Sequence, residues 1–171
     1  MKTLNQKTRA LSLFVLCLAL AGGGAAFAEK KLASKGQPAI KVVLTGNTER
    51  KGERVALDQA GTVKPGEIIN WTIDSANDGN GAARDYKAVG QVPAGSSFVA
   101  GSAASQVASV TYSIDGGKTF SAQPTVEVKH ADGSTKRVPA PVSSYTQLRY
   151  EWSGPLEAGQ KLSASYQVLV K

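Results

Sequence analysis

From residue 40 onward the chain is written in short apolar alternations of period two. Glycine, proline and asparagine interrupt them at intervals of roughly ten residues. Successive side chains of a strand point to opposite faces, so period two marks a pleated surface with one buried side. Ile69, Trp71 and Ile73 fall on one face of such a run. Leu148, Tyr150 and Trp152 do so in another, and Leu162, Ala164, Tyr166, Val168 and Val170 in a third. No segment beyond residue 28 carries a 3.6-residue apolar stripe of helical length. About eight to ten short strands with regular turn signals predict an all-β chain, and specifically an immunoglobulin-like antiparallel β-sandwich. Its expected core is Trp71, Ile73, Val89, Phe98, Val110, Leu148, Trp152, Leu162, Tyr166 and Val168. Burying one such large side chain is worth about 1.5–3 kcal/mol.

The interruptions have their own chemistry. Lys64-Pro65-Gly66 predicts a turn, since proline presets φ and glycine accepts positive φ. Asn77-Asp78-Gly79-Asn80-Gly81 ends the strand that contains Trp71. Asp115-Gly116-Gly117 predicts a hairpin between strands at 110–114 and 118–120. Asp132-Gly133-Ser134 predicts a second, between 125–129 and 136–138.

The N-terminal end reads differently. Lys2, Lys7 and Arg9 precede an apolar run, Leu11 to Leu20, that is too short to span a bilayer as a helix. Ala26-Phe27-Ala28 then forms an A-x-A cleavage pattern, so residues 1–28 are expected to be a secretory signal peptide. Cys17 lies in mid-run behind Phe14, Val15 and Leu16, which argues against lipidation. Residues 29–37 are expected to be a flexible leader, and residues 38–171 a single domain. The signal segment holds three of the 20 basic residues and none of the 13 acids, so the remainder carries +4. It also holds the only cysteine, Cys17. The exported part is therefore expected to fold without disulfides. Lys30, Lys31, Lys35 and Lys41, with Arg50, Lys51 and Arg54, make its start locally basic. An anionic envelope polysaccharide is a candidate partner for that charge. Nucleic acid is not expected, because the basic residues are not interleaved with aromatics.

Little chemistry is written into the chain. Beyond the signal segment, metal-ligating imidazole is limited to His130, and no thiol accompanies it, so no zinc or copper site is expected. His130 sits beside the Asp132-Gly133 turn and reads as an exposed loop residue. Asp74, Asp78 and Asp85 flank a glycine-rich loop, but without the spacing of a calcium loop. No G-x-S-x-G elbow accompanies the serines. No catalytic residue, cofactor or metal is assigned, and the chain is not expected to be an enzyme. Tyr112 and Tyr145 are candidate surface rings for partner contact.

A set of motifs recurs in a particular order: Val63-Lys64-Pro65-Gly66-Glu67, Asn77-Asp78-Gly79, Val92-Pro93-Ala94-Gly95, Phe98-Val99-Ala100-Gly101-Ser102, Trp152, Leu156, Gly159, and Tyr166 to Val168. This order resembles the bacterial secreted repeat catalogued as domain of unknown function eleven, in a single copy covering roughly residues 63–171. The resemblance implies an immunoglobulin-like sandwich on bacterial surfaces or in envelopes, and implies no reaction. The chain departs from the pattern at Gly90, where members often carry an acid, and at Val92, where leucine is usual.

The expected protein is thus an exported, non-catalytic module of the periplasm or cell surface, not an integral membrane protein. Its expected partners are other envelope or surface-layer proteins, as an accessory subunit of a surface-layer or outer-membrane complex. A glycan-binding module is the alternative. The terminal strand, 162–171, is either shielded inside the sheet or open to pairing with a partner.

Overall fold

The computed structural model describes residues 36–171. The expected signal peptide, and residues 29–35 of the expected leader, lie outside the described residues. Strand β1 (Ile40–Arg50) turns at Lys51-Gly52 into β2 (Glu53–Ala56). Both turn residues take positive φ, 55° and 81°, which gives a two-residue reversal matching the twist of the flanking strands. A single helical turn, α1 (Leu57–Ala60), follows, and then β3 (Ile68–Asn77), β4 (Lys87–Gln91), β5 (Ser96–Phe98) and β6 (Ala104–Ser105). The remaining strands are β7 (Ala108–Ser113), β8 (Thr125–Lys129), β9 (Thr135–Pro139), β10 (Gln147–Trp152) and β11 (Lys161–Val170).

All pairings are antiparallel. One sheet runs β2-β1-β3-β11-β5, with β6 also on β11. A second runs β4-β10-β7, and β8-β9 form a separate two-stranded ribbon. The inward rows of the two larger sheets pack together. Ile69, Ile73, Ala164, Tyr166 and Val168 come from the first, and Ala88, Leu148, Tyr150 and Trp152 from the second, joined by Phe98. The all-β expectation holds, and the alternating runs place their apolar residues inward.

Two expectations need correction. Val89 is not in the core: it points outward and is 47% exposed, while Ala88 and Gly90 face inward. The Tyr166 ring lies against Gly90, and a Cβ there would collide with it. The inward face of β4 therefore has room only for small residues.

Residues 118–120 form no strand. The Asp115 carboxylate accepts from the Lys118 and Thr119 N–H groups, and Ser113 Oγ accepts from the Gly117 N–H. Side-chain bonds thus replace the expected ladder, and only a Tyr112–Ser121 bridge remains. Phe120 instead lies against the Arg149 guanidinium, 4.3 Å from its ring centroid.

Of the two alternatives for the terminal strand, the structure shows the internal one. β11 pairs with β3 on one side and with β5 and β6 on the other, so removing residues 162–171 is expected to cost the fold.

The end of β3 is held by one buried amide. Asn77 Oδ1 accepts from the Ala39 and Gly79 N–H groups, and Nδ2 donates to the carbonyls of Gly81 and Leu156. The turn after β3 also holds the incoming chain: Gln37 donates its N–H to Asn80 Oδ1 and accepts from the Asn80 and Gly81 N–H groups.

Candidate functional site

Strand β1 presents the most distinctive surface of the described residues. It pairs with β3 along Ile40 to Thr48, whereas β2 covers its other side only from Asn47 to Arg50. Among the described residues, the stretch before Gly46 has no second strand partner. Its backbone direction follows from the ladder. Asp78 donates its N–H to the Ala39 carbonyl, and the β1–β3 register runs without a bulge. In an antiparallel ladder the hydrogen-bonding side alternates residue by residue. Lys41, Val43 and Thr45 therefore bond toward β3, and Ile40, Val42 and Leu44 turn their N–H and C=O groups outward. The same alternation places Arg50 and Glu53 as a bonded pair closing the two-residue turn.

The side chains of this edge are apolar and exposed: Val42 by 53%, Val43 by 43% and Leu44 by 57%. Val42 and Leu44 pair across to Ser75 and Ile73, both buried, so they lie on the core-facing side. They remain exposed at the margin of the first sheet. Further along, β1 is covered. Leu57 of α1 and the Trp71 ring fill the space over Gly46, where a Cβ would collide with both. The opening thus ends near Thr45. On the opposite face, Val43 helps line a groove of about 580 Å³ with Lys41, Asp74, Ala76, Lys161 and Ser163, a mixed-charge surface. An exposed, flat, apolar strand edge is a template for pairing with another chain.

The far end of β1 is anchored. Arg50 makes a bidentate pair with Glu67, at 2.9 and 3.0 Å, and donates to the carbonyls of Ala60 and Thr62. The Arg50 guanidinium, followed by the Lys64 N–H, holds the Glu67 carboxyl below its ordinary range.

The two tyrosines named from the sequence lie elsewhere, and they lie together. Tyr112 on β7 and Tyr145, just before β10, have ring centroids 4.8 Å apart, and Phe98 packs against both. Each is half-buried at the margin of the core. Burial first, and then the neighbouring Tyr145, push the Tyr112 hydroxyl above its ordinary value. Tyr112 also borders a small cleft of about 180 Å³ with Thr119, Ser121 and Gln123.

His130 stands exposed in the turn between β8 and β9. Asp74 and Asp78 line the groove beside β1, and Asp85 does not join them there. Among the described residues no three metal-ligating side chains cluster, and no helix is long and apolar enough to cross a membrane.

Reading alternation along single strands missed the β1 edge. The near-continuous apolar run Ile40-Lys41-Val42-Val43-Leu44 marks a strand but not its place at a sheet margin, since such runs are usual in strands buried on both faces. The chain matches no protein-family model, no curated protein and no solved structure.

Proposed function

We propose that the chain is a non-catalytic, exported module of the cell envelope that associates with other envelope proteins by strand-edge pairing. In this reading the two packed sheets form an immunoglobulin-like sandwich of the kind found in domain of unknown function eleven. The observation that carries the proposal is the uncovered side of β1, where Ile40, Val42 and Leu44 offer backbone groups beside exposed aliphatic side chains. Main-chain hydrogen bonds supply affinity in such contacts, and alternate side chains supply selectivity.

The test uses proline where it spares the fold. The Leu44 N–H points outward, so Leu44→Pro removes a donor from the open side without breaking the β1–β3 ladder. A photo-crosslinking side chain at Thr45 should capture a neighbour in intact envelopes, and Leu44→Pro should reduce that capture at least tenfold. Capture unchanged by Leu44→Pro, with the circular dichroism also unchanged, would refute edge pairing.

A glycan-binding module is the second reading. It is favoured by the cleft in which Tyr112 meets hydroxyl and amide side chains. Binding to envelope polysaccharide that Tyr112→Ala or Tyr145→Ala abolishes would support it. Binding that survives both substitutions would exclude this site.

A further inference from the structure

We infer that the outer face of the first sheet, where β1, β3 and β11 carry Asn47, Asn70 and Gln167, is a binding site for an uncharged, hydroxyl-rich glycan. It goes beyond the edge-pairing reading, which uses backbone groups at the other end of β1. It also stands apart from the Tyr112 cleft, which borders the second sheet.

The site begins with strand register. Asn47 pairs with Asn70, and Asn70 with Gln167. Directly opposed residues share a face of the sheet, so the three amides form one row across three neighbouring strands. They alternate with Thr48, Ile69 and Val168, which are buried, so the row faces away from the core. Neighbouring strands lie about 5 Å apart, which sets the spacing of the row. The next row toward Asp74 is Thr45, Thr72 and Ser165. Two successive rows of this outer face thus carry hydrogen-bonding side chains and no charge.

The amides are held ready. Gln167 Nε2 donates to Asn70 Oδ1 at 2.6 Å, which fixes both side chains in one orientation. Asn70 Nδ2 and Gln167 Oε1 make no hydrogen bond among the described residues. The Asn47 amide makes none either, and its Oδ1 is enclosed without a partner. A free amide donor beside a free amide acceptor matches two neighbouring sugar hydroxyls, each of which both donates and accepts. Orienting the amides before binding lowers the entropy lost when a ligand docks.

The surroundings complete a sugar site. The row borders a groove of about 710 Å³, within the span of about 300–1,000 Å³ usual for small-molecule sites. Ile68, 41% exposed, lines the groove and pairs with the exposed Leu169. This aliphatic step suits the C–H face of a sugar ring. Lys51 and Arg54 add donors where β1 turns into β2, and Glu49 adds an acceptor. Glu67 also reaches the groove, with its charge matched by Arg50. Three cations against two acids leave no strong field to hold a polyanion. Hydroxyl recognition is the chemistry that the groove offers.

The test is affinity electrophoresis of the full chain through gels holding dextran, mannan or xylan as neutral polymers, or polygalacturonate as an acidic one. At least one neutral polymer should retard the chain, at low salt and at about 0.5 M salt alike. Asn70→Ala and Gln167→Ala should each weaken that retardation roughly tenfold. Their circular dichroism should be unchanged, since both side chains face away from the core. Arg54→Ala, on the exposed edge strand β2, should weaken it roughly threefold, and it carries the test where an amide variant fails to fold. Leu44→Pro and Tyr112→Ala should leave it unchanged. No retardation by any neutral polymer overturns the inference, as does retardation by polygalacturonate alone that salt abolishes. Retardation that survives both amide substitutions, or that Tyr112→Ala removes, overturns it as well. Leu44→Pro acts only on the strand edge, so failure of edge pairing leaves this result untouched.

Discussion

Tyr150 and Tyr166 tie the two sheets together in opposite directions. Tyr150, on β10, donates its hydroxyl to the Ser165 carbonyl on β11 at 2.7 Å. Tyr166, on β11, donates to the Gln91 carbonyl beyond the inward face of β4, also at 2.7 Å. Both rings are fully buried. Each sheet thus supplies one phenol and one acceptor, and neither hydroxyl is left unpaired in the core.

Removing either hydroxyl should be measurable. Tyr150→Phe and Tyr166→Phe each delete one buried bond and leave a carbonyl without its partner. Each should cost about 1–2 kcal/mol, read as a lower urea midpoint at pH 7 with an unchanged m-value.

The same pair predicts alkaline sensitivity. Burial, the main cause, raises both phenols, and Tyr166 is pushed up to about 12. A tyrosine in the unfolded chain ionises near pH 10, at about its reference value. The folded state therefore keeps protons that the unfolded state releases. Stability should be fully present below about pH 10 and be lost as pH rises from there through the raised values. Urea midpoints between pH 9 and pH 12 should fall less steeply for either phenylalanine variant than for the parent chain.

Gly90 sits under the Tyr166 ring. Gly90→Ala adds one methyl group to a filled space, so overpacking should cost about 1–3 kcal/mol. Val89→Ala, on the exposed side of the same strand, should cost well under half as much. Equal losses in a denaturant titration would count against the inward orientation of Gly90.

Asn77 makes four hydrogen bonds from a fully buried side chain. Asn77→Ala strands the Ala39 and Gly79 N–H groups and the Gly81 carbonyl, while the Leu156 carbonyl keeps the Ala83 N–H, and should cost about 3 kcal/mol. Because the Ala39 N–H is one of them, hydrogen exchange at the start of β1 should accelerate in this variant. Protection in β10 should fall only as far as the global loss of stability requires.

Asp115 predicts an acid-side effect. The Thr119 hydroxyl first, then the Thr119 N–H and the Ser113 hydroxyl, hold its carboxyl far below the ordinary range. A depressed carboxylate adds stability above its unfolded value, near pH 4, and loses it as pH falls toward the folded value. The stability gap between the parent chain and Asp115→Asn should be constant at neutral pH and narrow steadily below about pH 4. A gap that stays the same from pH 7 to pH 2.5 would contradict the turn described for residues 113–119.

Period-two patterning alone determined which face of most strands turns inward. Ile69 and Ile73, Leu148 to Trp152, and Ala164 to Val168 each read correctly, because the pleat couples side-chain direction to sequence parity whatever the strand pairs with. Turn chemistry likewise placed the β8–β9 ribbon, whose two strands are joined by a short local loop. What only the tertiary structure decided is non-local. Val89 looked like a core residue until the Tyr166 ring, delivered from the far end of the chain, claimed the space at Gly90. Residues 118–120 looked like a hairpin arm until Asp115 took their N–H groups. The pairing of the terminal and first strands was likewise open in the sequence. Both carry aliphatic runs, and no local signal says which lies inside a sheet and which at its margin. That depends on which strands pair with which across the whole chain, and it left the edge of β1, rather than that of β11, open to a partner.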